Sequence, residues 1–203
     1  MNPLKMYITM KKLLFAAVLV MASITAYAQP RAIGGRLGAF EGFSYEHGLG
    51  SDKMLDIEVG FSVAGRTDMW RYISGVRTYG HAWGSTLQAA ITHDWIDPFG
   101  ATFHWDHKGE WHWYMGVGGA AGYGWYASFH DYNGNFSTSG WDWGFVGAAG
   151  RIGVEYDFWF PLQLSIDYRP TIGVGLFGDP YNGASAGVYW EMTSLALGVR
   201  YKF

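Results

Sequence analysis

Two short stretches of the chain hold residue types that could do chemistry. His104, Asp106, His107 and His112 form its one dense group of metal-ligand types. Imidazole and carboxylate would suit zinc, but their spacing matches no recognised zinc site, and a turn flanked by Trp105 and Trp111 reads equally well as an interface belt. Ser128, His130 and Asp131 supply a nucleophile, a base and an orienting acid by type. Their nearness in sequence gives no mutual orientation, and no nucleophile-elbow motif is read in the chain to support them. No metal, cofactor or catalytic residue is therefore expected, and the chain reads as a non-enzyme.

A third set is larger and more regular. Arg36, Glu46, Asp56, Glu58, Asp94, Arg151, Glu155, Asp167, Arg169, Arg200 and Lys202 are nearly balanced in sign, and all fall on the polar phase of alternating segments. If those segments are strands of a narrow barrel with their apolar faces outward, these side chains meet inside it. The interior of an eight-stranded barrel is just wide enough for side chains to fill, so the first reading is a structural network of paired charges.

Everything then depends on the elements that carry them. After residue 30 no segment keeps a period of 3.6, but several keep a period of two. In 162–176 the even positions Leu162, Leu164, Ile166, Tyr168, Pro170, Ile172, Val174 and Leu176 oppose Gln163, Ser165, Asp167, Arg169, Thr171, Gly173 and Gly175. Leu55, Ile57, Val59, Phe61 and Val63 alternate with Asp56, Glu58, Gly60, Ser62 and Ala64, and 111–125 and 146–156 behave alike. Soluble sandwiches alternate too, but strands running beyond ten residues exceed the usual 5–6 and suit a tilted membrane crossing. Trp and Tyr gather near segment ends, where interfacial girdles need them.

The start of the chain agrees with export. Met10-Lys11-Lys12 precedes an apolar run of about a dozen residues and then Ala26-Tyr27-Ala28, the form of a signal peptide cleaved after Ala28, with initiation at Met10 an open alternative. A spanning helix would need about 20 apolar residues. The expected organisation is thus a leader, 1–28, and one domain, 29–203, exported through the general secretory pathway. Cysteine is absent, so no disulfide frame is available. The chain has 30 Gly, 11 Trp, 14 Tyr and 13 Phe with 15% charged residues, which fits a β-rich protein with an aromatic surface. A net charge of −3 gives no reason to expect nucleic acid as a partner.

Seven segments show alternation: 31–48, 54–64, 85–96, 111–126, 142–158, 162–176 and 191–203. Single-chain bacterial barrels normally have an even number of strands. Running straight through 31–48 would put Glu41 on the lipid face at mid-bilayer, so a tight turn near Ala39 to Gly42 is expected to split that segment into 31–38 and 43–48. The prediction is an all-β, eight-stranded antiparallel up-and-down transmembrane β-barrel. Its outer connections would be 39–42, 65–84, 127–141 and 177–190, and its inner ones 49–53, 97–110 and 158–161.

The run G-V-E-Y-D-F-W-F-P-L-Q-L-S-I-D-Y-R-P from Gly153, the ending L-G-V-R-Y-K-F and W-H-W-Y-M-G-V-G-G from Trp111 resemble the small outer-membrane barrels of the OmpX and opacity type. The likeness covers roughly the last half of the domain and is weaker over 65–110. It implies an eight-stranded barrel without a wide channel. Tyr201 and Phe203 at the end of the last strand resemble the signal read by the outer-membrane assembly machinery. The expected partners are that machinery and outer-membrane lipids, and the expected state is a monomer. Trp70, Tyr72, Phe129, Tyr132 and Tyr181, on outer loops, are candidates for contact with a surface ligand. A lipid-modifying barrel enzyme, a small pore and a soluble β-barrel carrier stay open as alternatives.

Overall fold

The computed structural model describes residues 30–39, 41–73, 76–97, 109–131, 137–179, 183–192 and 194–203. The expected leader, with Met10, lies outside them. Ten strand segments form one antiparallel sheet: β1 (Pro30–Gly38), β2 (Glu41–Gly48), β3 (Lys53–Ile73), β4 (Val76–Ile96), β5 (Gly109–Asp131), β6 (Ser137–Phe158), β7 (Gln163–Tyr168), β8 (Thr171–Asp179), β9 (Gly183–Glu191) and β10 (Leu195–Lys202).

Two pairs of segments are single strands of the wall. β7 and β8 part at Pro170, which has no N–H to donate, yet both pair with β6 in one unbroken register, Ile152 opposite Tyr168 and Ala149 opposite Thr171. The stretch between them stays in the sheet, because the Gly150 N–H donates to the Pro170 carbonyl at 2.9 Å. β9 and β10 are joined by a bulge. Tyr168 and Thr171 face Leu195 and Glu191, so one extra residue is accommodated there, and the Arg169 N–H donates to the Ser194 carbonyl at 3.0 Å. β1 pairs with both β2 and β10, which closes an eight-stranded antiparallel barrel. The parity expectation therefore holds.

The turn in the first hairpin is tighter than expected. β2 already begins at Glu41, which stays on the outer face opposite Phe61. Its charge is tolerated there because it sits at the hairpin tip and not in mid-strand.

The expected outer loops are the main correction. Most of 65–84, 127–141 and 177–190 is paired strand: β3 runs to Ile73 and β4 starts at Val76, β5 runs to Asp131 and β6 starts at Ser137, β8 runs to Asp179 and β9 starts at Gly183. Trp70 and Tyr72 are strand residues opposite Tyr79 and Arg77, and Phe129 lies opposite Ala82 and Thr138. Tyr132 and Tyr181 lie outside the described residues. Alternation stopped being informative there because ladder hydrogen bonds do not require one apolar face, whereas a lipid or core boundary does.

The wall also narrows. Above the tip of the short β1–β2 hairpin, β3 pairs directly with β9 through Asp68 opposite Trp190 and Met69 opposite Tyr189. The ring at that level is β3, β4, β5, β6, β8 and β9, six strands above a body of eight. The end with the hairpin tips is called upper below, and the end with Arg31 and Phe203 lower.

Side chains divide cleanly between the two faces. Leu87, Ile91, Val117, Val146, Ile152, Ile166, Val174, Leu176, Leu197 and Val199 all point outward and are exposed, Val146 to 64% and Leu176 to 63%. Arg36, Glu46, Asp56, Glu58, Asp94, Arg151, Glu155, Asp167, Arg169 and Arg200 point inward and are buried.

Candidate functional site: the charged lumen

Each strand delivers its inward side chains every second residue, so one level of the lumen collects groups from several strands. Arg151 of β6 is the hub. Its Nη1 lies 2.6 Å from Asp94 of β4 and 3.1 Å from Asp56 of β3, and its Nη2 lies 3.5 Å from Asp167 and 3.9 Å from Glu46. Nη2 also donates to the Tyr114 hydroxyl at 3.2 Å, and the guanidinium carbon stands 4.5 Å from the centre of that ring. The Tyr114 hydroxyl in turn donates to Asp167 at 3.3 Å.

Other arginines brace the remaining walls. Arg200 of β10 donates through Nε to Ser44 at 2.9 Å and through Nη1 to Ser165 at 2.7 Å, with Glu46 at 3.2 Å. Ser44 donates onward to Asp56 at 3.0 Å. Arg36 of β1 pairs with Glu58 and Asp167, and Arg169 reaches Glu58 at 2.9 Å. Among the described residues the buried Lys and Arg side chains, Arg36, Arg151, Arg169 and Arg200, are all arginines, whose planar fork serves several carboxylates at once, which an ammonium point charge does less well.

Of the eleven residues singled out for the lumen, the ten from Arg36 to Arg200 face inward and are buried, and Lys202 is half-buried at one mouth. Equal distance from the β6–β7 turn pairs Arg151 with Asp167, and Glu155 with Arg169 or with a base on another strand. Arg151 does meet Asp167. Glu155 meets a base on another strand, Arg31 of β1, and not Arg169, since Glu155 stands opposite Ser165 and Arg169 lies four residues farther up, about 13 Å at strand rise. Arg31 escaped the sequence reading because its parity with Ile33 puts it outside. A register shift between Pro30 and Ala32 turns it to the lower mouth, where it also lies 3.5 Å from Glu46 and 3.9 Å from Asp157. Lys202 completes that mouth, 3.5 Å from Asp157 and donating to the Phe158 carbonyl at 3.0 Å.

The upper lumen is aromatic. Phe145 and Tyr189 stack with centroids 4.0 Å apart and planes at 8°, Trp143 lies 5.6 Å from Tyr189, and the Tyr189 hydroxyl donates to Glu191 at 3.0 Å. Two glycines on β5 make room for these rings. A Cβ at Gly124 would stand 1.9 Å from Trp143 Nε1, and one at Gly122 would stand 2.4 Å from Phe145 Cε1.

Of the metal-type cluster, His104, Asp106 and His107 lie outside the described residues. His112 is held at the lower rim with Nδ1 2.7 Å from Asp97, and Glu110 is 3.5 Å from Nε2. Asp97 has a left-handed backbone, φ 47°, and accepts from the Trp113 N–H at 3.2 Å. Among the described residues no group of three or more His, Asp or Glu side chains is arranged so that it could hold a metal ion. Ser128, His130 and Asp131 all fall in β5, opposite Ser139, Ser137 and Gly80 respectively or their neighbours in the ladder. One pattern was passed over: Gly183-Ala184-Ser185-Ala186-Gly187 spells G-x-S-x-G. It lies within β9, with Ser185 opposite Phe177, and so lacks the strand-to-helix turn that makes such a serine a nucleophile.

At the end of β10, Tyr201 and Phe203 face outward, with ring centroids 5.5 Å apart, and the Phe203 N–H donates to the Arg31 carbonyl at 3.2 Å. These features define a closed, eight-stranded antiparallel barrel with a filled, charged lumen. No protein family, curated protein or solved structure matches the chain.

Proposed function

We propose that the protein is a non-enzymatic integral outer-membrane barrel of the small OmpX and opacity type, exported by the general secretory pathway and acting at the cell surface through its upper end. The observation that carries this reading is the inverted distribution of polarity. Soluble monomers rarely expose contiguous apolar patches larger than a few hundred Å2, and acids and arginines are almost never fully buried unless paired. Here an apolar outer face surrounds a lumen holding the buried charges. Lipid is the solvent that makes both halves favourable.

The strand lengths support the surface role. A tilted crossing takes about 9–11 residues, close to the 9 and 8 of β1 and β2, whereas β3, β4, β5 and β6 have 21, 21, 23 and 22. Roughly half of each long strand therefore stands clear of the lipid as a stiff hairpin. Trp70, Tyr72 and Phe129 lie on those projections and fit contact with a glycan, headgroup or protein at the surface. The lumen residues serve stability, and outer-membrane lipids and the assembly machinery are the obligate partners.

Fractionation with heat-modifiability tests the location. The mature chain is expected in the outer-membrane fraction, migrating faster unheated than boiled. Recovery of the folded, full-length mature chain free in the periplasm overturns it.

A further inference from the structure

The outer wall is not uniformly smooth. A groove of about 460 Å3 opens in the lower half, with Leu164 and Ile166 of β7 as its floor. Trp111 and Tyr156, with ring centroids 4.9 Å apart, raise one wall together with Val154, and Leu197 and Val199 form the other. Its size falls within the roughly 300–1,000 Å3 of small-molecule sites.

The chemistry of the lining selects the occupant. Ser165 is the one residue there whose side chain is not mainly apolar or aromatic, and its hydroxyl is turned into the lumen, where Arg200 donates to it at 2.7 Å. A peptide laid in the groove would bury N–H and C=O groups with nothing to bond them, which is costly. A hydrocarbon chain carries no such groups. The groove also continues the apolar belt of Ile152, Leu195 and Tyr201 and reaches the aromatic lower rim at Trp159, Phe160 and Phe203, where a headgroup would leave the hydrocarbon zone.

We propose that this groove holds one acyl chain of a diacyl phospholipid from the leaflet on the lower side, as a resident lipid seated over β7 and not as exchanging solvent. The inference rests on the membrane reading above. A chain within the groove touches side chains of four strands, β5, β6, β7 and β10, at once, so it should leave last when lipid is stripped.

Native mass spectrometry of the folded protein, extracted from membranes in mild detergent, tests this. The intact chain is expected to retain one phospholipid, and Ile166→Trp and Leu197→Phe, which fill the groove from its floor and wall, are expected to lose at least four-fifths of it. Both variants should still enter the membrane and keep the unheated mobility, because both substitutions are apolar and outward. Val146→Trp, on the outer face away from the groove, should retain the lipid. An inserted wild type that retains no lipid, or only detergent or a polycyclic lipid, overturns the proposal, as does equal retention by the filled variants. Failure of the wild type to insert overturns the membrane reading instead, and fractionation separates that outcome from the others.

Discussion

Arg169 and Glu58 face one another across the lumen, Nη1 2.9 Å from Oε2, although the strands that carry them share no edge. Ladder hydrogen bonds fix neighbours. Ion pairs of this kind fix the distance between walls that are not neighbours, and so set the cross-section of the barrel.

Arg151 faces four carboxylates, Glu46, Asp56, Asp94 and Asp167, and its loss should be severely damaging. Arg151→Met is expected to destabilise the folded barrel by about 3–5 kcal/mol, the usual cost of leaving buried carboxylates without their cation. The urea midpoint of unfolding in lipid vesicles measures it. Arg151→Lys should recover only a minor part, since one ammonium cannot face Asp94, Asp56 and Asp167 together.

A charge swap between Arg151 and Asp167 would be the natural rescue for an isolated pair. Here it should fail. Asp56 and Asp94 would still face position 151, so an Asp there meets two like charges, while an Arg at 167 would meet Arg36. The double variant is expected to be no more stable than the worse single one, and recovery to near the wild-type urea midpoint would show that the two residues act as a simple pair.

Gly124 tests the aromatic packing in the upper lumen. Gly124→Ala should cost about 1–3 kcal/mol, the range for an overpacked site, because the new methyl runs into the Trp143 indole. Combining it with Trp143→Leu should be less harmful than the sum of the two single changes. Strict additivity of the urea midpoints would show that the contact does not matter.

The lumen should not conduct as a porin does. Guanidinium groups and paired carboxylates fill its body, and Trp143, Phe145 and Tyr189 fill the neck. Planar bilayers with the purified folded protein should show no large ohmic steps, and steps of porin size would contradict the filled lumen.

Deleting Phe203 should lower insertion without affecting export. The residue is 69% exposed beyond the last ladder pair, so its loss removes an outward ring and little packing. Pulse-labelled chains would be processed at the normal rate but accumulate unfolded, and unchanged assembly kinetics would mean that the terminal ring is not read.

Much of this fold was legible because alternation reports faces. The phases of 162–176 and of 54–62 assigned inside and outside correctly, and the awkward position of Glu41 was enough to reveal the first hairpin. Distance across a barrel leaves no such trace. Nothing in the spacing of Glu58 and Arg169 says that they meet, because that depends on how many strands separate them and how far each is staggered. Arg31 was hidden by a bulge, which inverts parity locally, and the upper hairpins by the absence of any boundary that would force one face to be apolar.

The pairing of β3 with β9 above the first hairpin also decides what an outside observer can touch. At the upper end β1–β2 stops beneath that junction, and the strands of β3–β4, β5–β6 and β8–β9 run on beyond it. A short epitope inserted after Ala39 would have to force the junction apart, whereas one placed between Ile73 and Val76 would hang free at the end of a long ribbon. For antibody display, phage adsorption or loop grafting, the molecule offers three fingers, and the fourth is folded into the palm.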